Sequence, residues 1–443
     1  MTELLDRYFA RLERGQPWRW RGQVVESVGT IIESAGPLAT VGECCEILDQ
    51  SGRLHLAEVI GFRGSNVLSM PLEATDGIRF GDGVSALGTS ADIELTSAPI
   101  GRVLNALGEP IDAVEPTRKA LRYAAPVSLR IEGKVRSPLD RAPIRVPLGT
   151  GIRVLDALLT VGRGQRVGIF GGSGVGKSTL IGMMTRNTEA DITIVGLVGE
   201  RGREVGEFLE DSLGEEGRAR SVVVVSTSDE SPLKRMRAAL VATTLAEFFA
   251  AQGKHVLLVL DSLTRFAMAA REIGLAAGEP PTAKGYTPSV FTRLARLVER
   301  AGEFRVGSIT AFYTVLMEGD DQQDPLVDAV RSLLDGHVVL SRALAAEGWY
   351  PPIDVLDSIS RLMPLVSTPE HREQAALVRK LLAVYARSED LVRIGAYKPG
   401  ADPELDRALR AREALRSFMM QTTDERVDLA HCLQRLAALA AEV

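Results

Sequence analysis

A glycine-rich segment near the middle of the chain narrows the choice of folds sharply, because it fits the pattern G-x-x-x-x-G-K-[ST] of a phosphate-binding loop. An apolar run at 167–170 precedes it and a helical segment at 179–188 follows it. Glycine lets backbone N–H groups approach phosphate oxygens, and a helix N-terminus adds the positive end of its dipole. We expect Lys177 to reach the β- and γ-phosphates of a nucleotide and the Ser178 hydroxyl to bind Mg²⁺. The predicted nucleotide-binding residues are Gly171, Gly172, Ser173, Gly174, Val175, Gly176, Lys177, Ser178 and Thr179.

Two acidic residues end apolar runs that should be strands of the same sheet. Asp261 follows the run 255–260, and an acid at the carboxyl end of a parallel strand can hold Mg²⁺ or its water, the Walker B role. The alternative for Asp261 is a helix N-cap. Ser262 rather than an acid follows Asp261, so the better candidate for the catalytic base is Glu200, at the end of the run 192–198. The alternative for Glu200 is a solvated, salt-bridged glutamate.

Hydropathy divides the chain into further regions. Residues 22–92 hold short β-branched runs between turn residues, which predicts a small β-barrel. Residues 93–365 alternate apolar strands with amphipathic stretches, which predicts a parallel sheet covered on both faces. Residues 366–443 are predicted to be helical, with two stretches separated by Lys398-Pro399-Gly400. The start signal is Ser367-Thr368-Pro369, and Glu370 is expected to complete a capping box. The predicted barrel runs are 24–32, 46–48, 54–60 and 67–70, and the predicted sheet runs are 167–170, 192–198, 222–225, 256–260, 308–312 and 338–340.

The composition argues against several classes of protein. The 443 residues are 45% hydrophobic and 25% charged, which is ordinary for a soluble globular protein. No apolar run approaches the ~18–20 residues that span a bilayer, and charges near the N-terminus argue against a secretory signal, so we expect a cytoplasmic protein. Three cysteines cannot build a disulfide framework and lack zinc spacing. The net charge of −6 argues against a chain devoted to nucleic acid.

Residues 1–21 form a separate amphipathic segment. Apolar residues recur there at helical spacing with arginines on the other face, and Gly15 and Pro17 end the pattern. We interpret the segment as a docking helix for a partner or a membrane surface, because short terminal helices are rarely stable without such a contact. The alternative is a helix that packs on its own domain.

Several motifs occur together with the phosphate-binding loop and in a fixed order. Gly199-Glu200-Arg201, residues 257–261, residues 101–110 (GRVLNALGEP) and residues 350–354 (YPPID) resemble the catalytic subunits of the rotary ATP synthase superfamily. Residues 278–282 (GEPPT), 313–316 (YTVL) and 318–321 (EGDD) are closer to the type III secretion ATPases, and among these to the flagellar export ATPases. The resemblance covers residues 22–443 and is strongest over 100–365.

This resemblance implies a fold and a set of roles. It implies a multidomain chain with an N-terminal β-barrel, a central α/β P-loop (RecA-like) domain and a C-terminal α-helical domain, and it implies Mg²⁺-dependent hydrolysis of ATP with Lys177 among the catalytic residues. Glu200 matches the family's catalytic glutamate, and Arg201 matches the neighbour that approaches the γ-phosphate. Arg361 matches the arginine finger that an adjacent subunit supplies, with a structural ion pair as the alternative.

Tyr350 matches a tyrosine that stacks on adenine, with a core aromatic as the alternative. The synthase β subunit has a further adenine-holding aromatic shortly after the region of Phe418, and Thr422 and Thr423 follow here instead. The resemblance therefore leaves base selectivity open.

The resemblance also implies partners and a location. The family forms homo-hexamers, binds a stator-like regulatory protein through the N-terminal segment, and works with export chaperones, export substrates and an export gate at the inner membrane. The expected function is ATP hydrolysis that energises flagellar type III protein export from the cytoplasmic, peripheral side of that membrane. Virulence-type secretion and a rotary synthase subunit are the alternatives.

Two further classes are disfavoured. A ring that translocates nucleic acid would want an aromatic, basic platform in the barrel, and residues 22–92 hold only Phe62 and Phe80 as aromatics. A non-catalytic binding subunit would not need Glu200. We therefore expect no nucleic-acid partner.

Overall fold

The computed structural model describes residues 20–73, 75–90, 92–112, 122–133, 136–317 and 324–443, with the backbone alone at 122–125. Most of the predicted docking segment 1–21, and residues 318–321 of the EGDD motif, lie outside the described residues. A closed β-barrel, an α/β domain and a helical domain follow one another along the described chain. This architecture confirms the predicted fold class, while the boundaries at 92/93 and 365/366 stay predictions.

The N-terminal barrel closes because its antiparallel strands each turn one apolar side inward. Its strands are β1 (Arg21–Val28), β2 (Ile31–Ala35), β3 (Glu43–Leu48), β4 (Leu54–Arg63), β5 (Asn66–Pro71) and β6 (Gly83–Ser90). They pair in the order β1-β2-β5-β4-β3-β6 around a core that includes Ile32, Ile47 and Val59. The run predicted at 24–32 is two strands, because Gly29 turns the chain with a φ of 60°. The strand β6 was absent from the predicted runs because small residues dilute its β-branched pattern.

The α/β domain is built on one large sheet. The strands that follow the barrel are β7 (Ile93–Ser97), β8 (Val103–Leu104), β9 (Arg122–Leu129), β10 (Pro147–Leu148), β11 (Val161–Gly162), β12 (Arg166–Gly171), β13 (Ile192–Glu200), β14 (Ser221–Thr227), β15 (His255–Asp261), β16 (Gly302–Glu303), β17 (Ser308–Leu316), β18 (Gly336–Leu340) and β19 (Ile353–Ser360). The sheet order is β19-β18-β12-β17-β15-β13-β14-β8. Its strands from β18 to β8 run parallel, whereas β19 at the edge and the short β16 are antiparallel. The parallel sheet is thus confirmed, with antiparallel additions that the sequence did not predict.

Helices cover both faces of this sheet and form the C-terminal domain. The α-helices are α1 (Arg153–Leu158), α2 (Lys177–Asn187), α3 (Gly202–Glu207), α4 (Gly214–Ala219), α5 (Pro232–Ala251), α6 (Leu263–Ala276), α7 (Pro288–Val298), α8 (Pro325–Leu333), α9 (Arg342–Ala346), α10 (Met363–Val366), α11 (Pro369–Arg393), α12 (Pro403–Met419) and α13 (Leu429–Glu442). A π-helical turn occupies Phe208–Leu213, between α3 and α4. One apolar cluster joins the sheet to α5, α6 and α7, and a second joins its other face to α1, α2 and the C-terminal helices.

The C-terminal helices start where the sequence predicts and break where it does not. The Thr368 side chain accepts the backbone N–H of His371 at the start of α11, so the helix begins at the predicted signal. The capping box is not formed, because Thr368 is the cap and Glu370 is then the second helical residue instead of the third. The second predicted helical stretch is two helices, α12 and α13. The extended backbone of Met420 ends α12, and the Asp428 side chain caps α13. The connecting segment, residues 420–428, runs against the α/β domain.

Candidate active site

The P-loop has the strand–loop–helix geometry that the sequence predicts. Strand β12 ends at Gly171 and α2 begins at Lys177. Gly174 and Gly176 lie between them with φ values of 77° and 89°, in the left-handed region that favours glycine. The loop thus leads into the N-terminus of an 11-residue helix, which is a ready anion-binding site.

The Lys177 ammonium lies folded over its own loop. Its Nζ donates to the carbonyl oxygen of Gly171 at 3.2 Å and also to that of Gly172. Burial lowers the pKa of Lys177, while the charges of Asp261 and Glu200 raise it. The lysine is therefore held within electrostatic range of both predicted carboxylates.

Asp261 and Glu200 end neighbouring parallel strands. Leu197 of β13 pairs with Asp261 of β15, so both acids lie at the edge of the sheet that carries the P-loop. The Thr314 hydroxyl donates to Asp261 Oδ1 at 2.6 Å, and burial raises the pKa of Asp261. Burial, and then the charge of Asp261, raise the pKa of Glu200. The structure thus brings Lys177, Asp261 and Glu200 together.

Two oxygen donors at this edge fit a magnesium ion. Ser178 is exposed in the first turn of α2, and Asp261 Oδ2 accepts no hydrogen bond from the described part of the chain. Ser262 rather than Asp261 caps α6, so the N-cap alternative for Asp261 is wrong. No group of three His, Cys, Asp or Glu side chains suited to a metal occurs among the described residues. The Ser178 hydroxyl and the Asp261 carboxylate suit Mg²⁺, which takes one or two carboxylates and completes its shell with phosphate and water oxygens.

The sequence analysis missed two charged residues of this site, Arg265 and Glu204, and the Glu204 side chain makes a hydrogen bond with Glu200. The Cβ of Arg265 lies 3.1 Å from the point where a Cβ on Gly199 would be, so a side chain at position 199 would crowd it. The charge of Arg265 lowers the pKa of both Glu200 and Asp261. Its buried Nε has no partner among the described residues. The signal that could have found Arg265 is its position four residues after Asp261, near the start of the helix that follows the strand.

Arg201 lies outside the buried cluster. Its side chain is 77% exposed, and its Nη1 is 3.9 Å from a carboxylate oxygen of Glu204 in α3. A pair this long and this exposed holds the guanidinium weakly. The predicted approach of Arg201 to the γ-phosphate stays a prediction.

Tyr350 stands beside the P-loop. Its ring carbon Cε1 is 3.7 Å from the point where a Cβ on Gly176 would be, and the residue is 49% exposed. That half-exposed position suits a ring that stacks on a ligand better than a core aromatic. Phe418 is buried and so is not available to a ligand. The exposed residues that follow it, Thr422 and Thr423, have no aromatic ring that could stack on a base.

Arg361 follows β19 and lies at the edge of the sheet opposite to the edge that carries its own P-loop. Val167 of β12 pairs with Gly336 of β18, and Gly336 pairs with Ser360 of β19. The main chain at Arg361 is therefore level with Arg166 at the start of β12, about 16 Å along the strand from Gly171 at ~3.3 Å per residue.

The Arg361 side chain is exposed and makes no ion pair with the described residues. Its Nη1 donates to the carbonyl oxygen of Leu334 at 3.2 Å, and its backbone N–H donates to that of Asp335 at 3.0 Å. A structural ion pair is thus not what holds it in the described part of the chain. The main-chain position and the exposed guanidinium favour a role toward another copy of the chain.

Replacing Lys177 by Met should weaken the binding of ATP and ADP. A hydrogen bond from a charged group contributes about 1.5–3 kcal/mol, which corresponds to an increase of about 10- to 150-fold in the dissociation constant. Titration with a fluorescent nucleotide measures it. Lys234→Met is the control, because Lys234 lies in α5 and its ammonium pairs with Glu230, just before that helix, at 3.3 Å. Affinity like that of the wild type in Lys177→Met would remove the P-loop from nucleotide binding.

Family models match each of the three domains. Residues 24–88 match the β-barrel domain and residues 151–360 the nucleotide-binding domain of the ATP synthase alpha/beta family. Residues 367–438 match the T3SS EscN ATPase C-terminal domain.

Individual relatives cover nearly the whole chain. The flagellum-specific ATP synthase of Treponema pallidum is 51% identical over 99% of this chain and 97% of its own. The type 3 secretion system ATPase of Xanthomonas euvesicatoria is 47% identical over 95% of this chain and 93% of its own. The assembled ATPase EscN of enteropathogenic Escherichia coli is 44% identical, with a TM-score of 0.88 over 95% of this chain and all of that one. EscN in complex with its central stalk EscO gives a TM-score of 0.85 at 42% identity over the same shares of the two chains.

The fold and the site thus define a P-loop ATPase, an enzyme that hydrolyses ATP. The chain belongs to the ATP synthase alpha/beta family, and within it to the group that contains the flagellum-specific ATP synthases and the type 3 secretion ATPases. Among the described residues, every helix is too short or too polar to cross a membrane.

Proposed function

We propose that this ATPase energises flagellar type III protein export, delivering and unfolding export substrates and releasing their chaperones at an export gate. The observation that carries the chemistry is the meeting of Lys177, Asp261 and Glu200 at the carboxyl ends of three parallel strands. The name and 51% identity of the Treponema relative support the flagellar assignment. The match of the C-terminal domain to EscN supports a secretion ATPase over a rotary synthase subunit.

ATP is the substrate, and each catalytic group has a distinct task. Lys177 exchanges the carbonyl oxygens of Gly171 and Gly172 for β- and γ-phosphate oxygens. Glu200 orients the attacking water and accepts its proton. Tyr350 stacks on the adenine, and Arg201 adds positive charge near the γ-phosphate.

Ser178 and Asp261 would hold Mg²⁺. The ion supplies charge neutralisation on the β- and γ-phosphate oxygens when it is bound. The Thr314 hydroxyl keeps the Asp261 carboxylate oriented, and Arg265 favours the ionised forms of Asp261 and Glu200.

The working form is proposed to be a homo-hexameric ring. Arg361 lies too far along the sheet to serve its own P-loop, and a neighbouring copy would bring it to the phosphates. EscN has been solved in an assembled form, which supports a ring for this chain.

Partners and location follow from the same proposal. A stator-like regulatory protein would bind residues 1–21, and a central stalk is supported by the EscN–EscO complex. Export chaperones, their substrates and the export gate would complete the assembly. The protein would act in the cytoplasm, peripherally at the inner membrane, without a nucleic-acid partner.

A deletion strain of the native host tests the flagellar assignment. The wild-type chain should restore swimming and the secretion of flagellar subunits, whereas Glu200→Gln at equal abundance should restore neither. Restored secretion of virulence effectors with unchanged motility would instead favour the virulence-type alternative. Immunoblots of the culture medium measure secretion, and soft agar measures swimming. The two measurements together distinguish the flagellar assignment from the virulence-type alternative.

Deleting residues 1–19 should separate partner docking from catalysis. Every proposed catalytic residue lies beyond position 170, so basal ATP hydrolysis should change by less than about twofold. Co-purification of the stator-like partner should be lost. An unfolded product, or a partner complex of unchanged amount, would favour the alternative in which the segment packs on its own domain.

A further inference from the structure

Gln421, in the segment between α12 and α13, links the main chain at Tyr350 to the main chain around the start of α1. The backbone N–H of Gln421 donates to the carbonyl oxygen of Tyr350 at 2.9 Å. Its side chain is 5% exposed, and Oε1 accepts the backbone N–H of Arg153 at 2.9 Å. Nε2 donates to the carbonyl oxygens of Gly151 at 2.8 Å and Glu425 at 3.0 Å. The side chain thus fixes the main chain that holds Tyr350.

The partners of this amide are themselves rigidly held. Arg153 is 2% exposed, and its Nη2 donates to Glu425 Oε2 at 3.0 Å. The wholly buried Asp156 accepts the backbone N–H groups of Thr150 at 2.8 Å and Gly151 at 3.1 Å. Buried hydrogen-bonded networks of this kind make the segments that they join rigid. Gln421 therefore anchors residues 420–425 to a fixed reference in the α/β domain.

The same segment also contacts the end of the P-loop helix. Arg186, in the last turn of α2, donates to the carbonyl oxygen of Thr423 at 2.9 Å. Gly151 packs so closely on α2 that an added Cβ would lie 2.3 Å from Cβ of Asn187. Residues 420–425 thus touch the tyrosine on one side and the helix that follows the phosphate loop on the other.

We infer that Gln421 is a positioning residue that sets where Tyr350 stands over the P-loop, and thereby sets the affinity of the site for the base of the nucleotide. This inference rests on the proposed stacking of Tyr350 on adenine. The exposed Thr422 and Thr423 bring no ring to the base, so the placement of Tyr350 decides how well this segment recognises it. Phosphate contacts belong to the P-loop and do not depend on the amide.

A double-mutant cycle tests the inference with two probes, ATP and inorganic tripolyphosphate. Gln421→Met keeps the length of the side chain and removes its hydrogen bonds. We expect it to raise the dissociation constant of ATP about five- to tenfold while that of tripolyphosphate changes by less than about twofold. In a Tyr350→Ala background, the same change should leave the ATP constant unaltered, because the group that Gln421 positions is gone.

Each other outcome overturns the inference. Equal weakening of ATP and tripolyphosphate would show general damage to the site, and an undiminished effect of Gln421→Met in the Tyr350→Ala background would show that it acts elsewhere. If Tyr350→Ala leaves ATP affinity unchanged, the stacking role fails and the inference fails with it. If Tyr350→Ala weakens ATP binding but Gln421→Met does not, the inference fails alone.

Two variants keep the test decisive. Should Gln421→Met fail to fold, Gln421→Asn retains the amide but withdraws it by one methylene, and the same cycle with both probes applies. Arg426→Ala is the matched control in the same segment. It breaks an exposed pair with Glu216, in which Nη1 lies 3.0 Å from Oε1, and should change neither dissociation constant.

Discussion

Glu200→Gln should bind ATP with affinity close to that of the wild type and hydrolyse it about 10²–10⁴-fold more slowly. The amide preserves the shape of the side chain but cannot accept the proton of the attacking water, and general-base catalysis of this kind contributes that factor. In barrier height it corresponds to about 3–5 kcal/mol. Steady-state release of phosphate at saturating ATP and Mg²⁺ measures the loss, and nucleotide titration verifies binding.

Glu207→Gln is the matched control for this prediction. Glu207 lies at the end of α3, and its ion pair with Arg203 spans 3.0 Å with both side chains more than half exposed. Exposed pairs contribute about 0–1 kcal/mol, so turnover should stay within about fivefold of the wild type. Turnover of Glu200→Gln as high as that of the control would remove Glu200 from the catalytic role.

The P-loop and the two acids were predictable because each is local in sequence. A strand, a glycine loop and a lysine at a helix start occupy adjacent positions, and an acid after an apolar run marks the carboxyl end of a parallel strand. The side chains of Lys177, Asp261 and Glu200 then meet because β12, β15 and β13 run in the same direction. The α/β class of the central domain was predictable because apolar strands and amphipathic helices alternate along residues 93–365.

Contacts between distant segments were not predictable in this way. Gln421 lies 268 positions from Arg153, whose backbone N–H donates to the Gln421 side chain. Nothing in the residues around either position indicates that hydrogen bond. Arg265 sits in a helix whose rotation only the fold determines. The edge strand β19 runs antiparallel to its neighbour. The edge of the sheet at which Arg361 lies therefore depends on strand direction, which the motif around Arg361 does not reveal.

That strand direction makes Arg361→Ala the sharpest test of a shared site. The variant should fold and bind ATP but hydrolyse it about 10³–10⁵-fold more slowly, because an arginine finger stabilises charge that develops only in the transition state. The loss corresponds to about 4–7 kcal/mol of barrier. Its own Lys177, Ser178, Glu200 and Asp261 remain intact. Arg372→Ala, which removes an exposed arginine bonded to the carbonyl oxygen of Pro364, should retain turnover.

A mixing experiment then decides between a finger that acts within one chain and a finger that acts on a neighbour. Arg361→Ala and Lys177→Ala chains are each expected to be inactive in hydrolysis. In a mixed ring, some interfaces join an intact P-loop from the first chain to an intact finger from the second, and those interfaces should recover part of the activity. Recovery should rise and then fall as the mixing ratio is varied, since the productive interface needs both chains. Absence of recovery in rings shown by mass spectrometry to contain both chains would contradict the assignment of Arg361 to a neighbouring site.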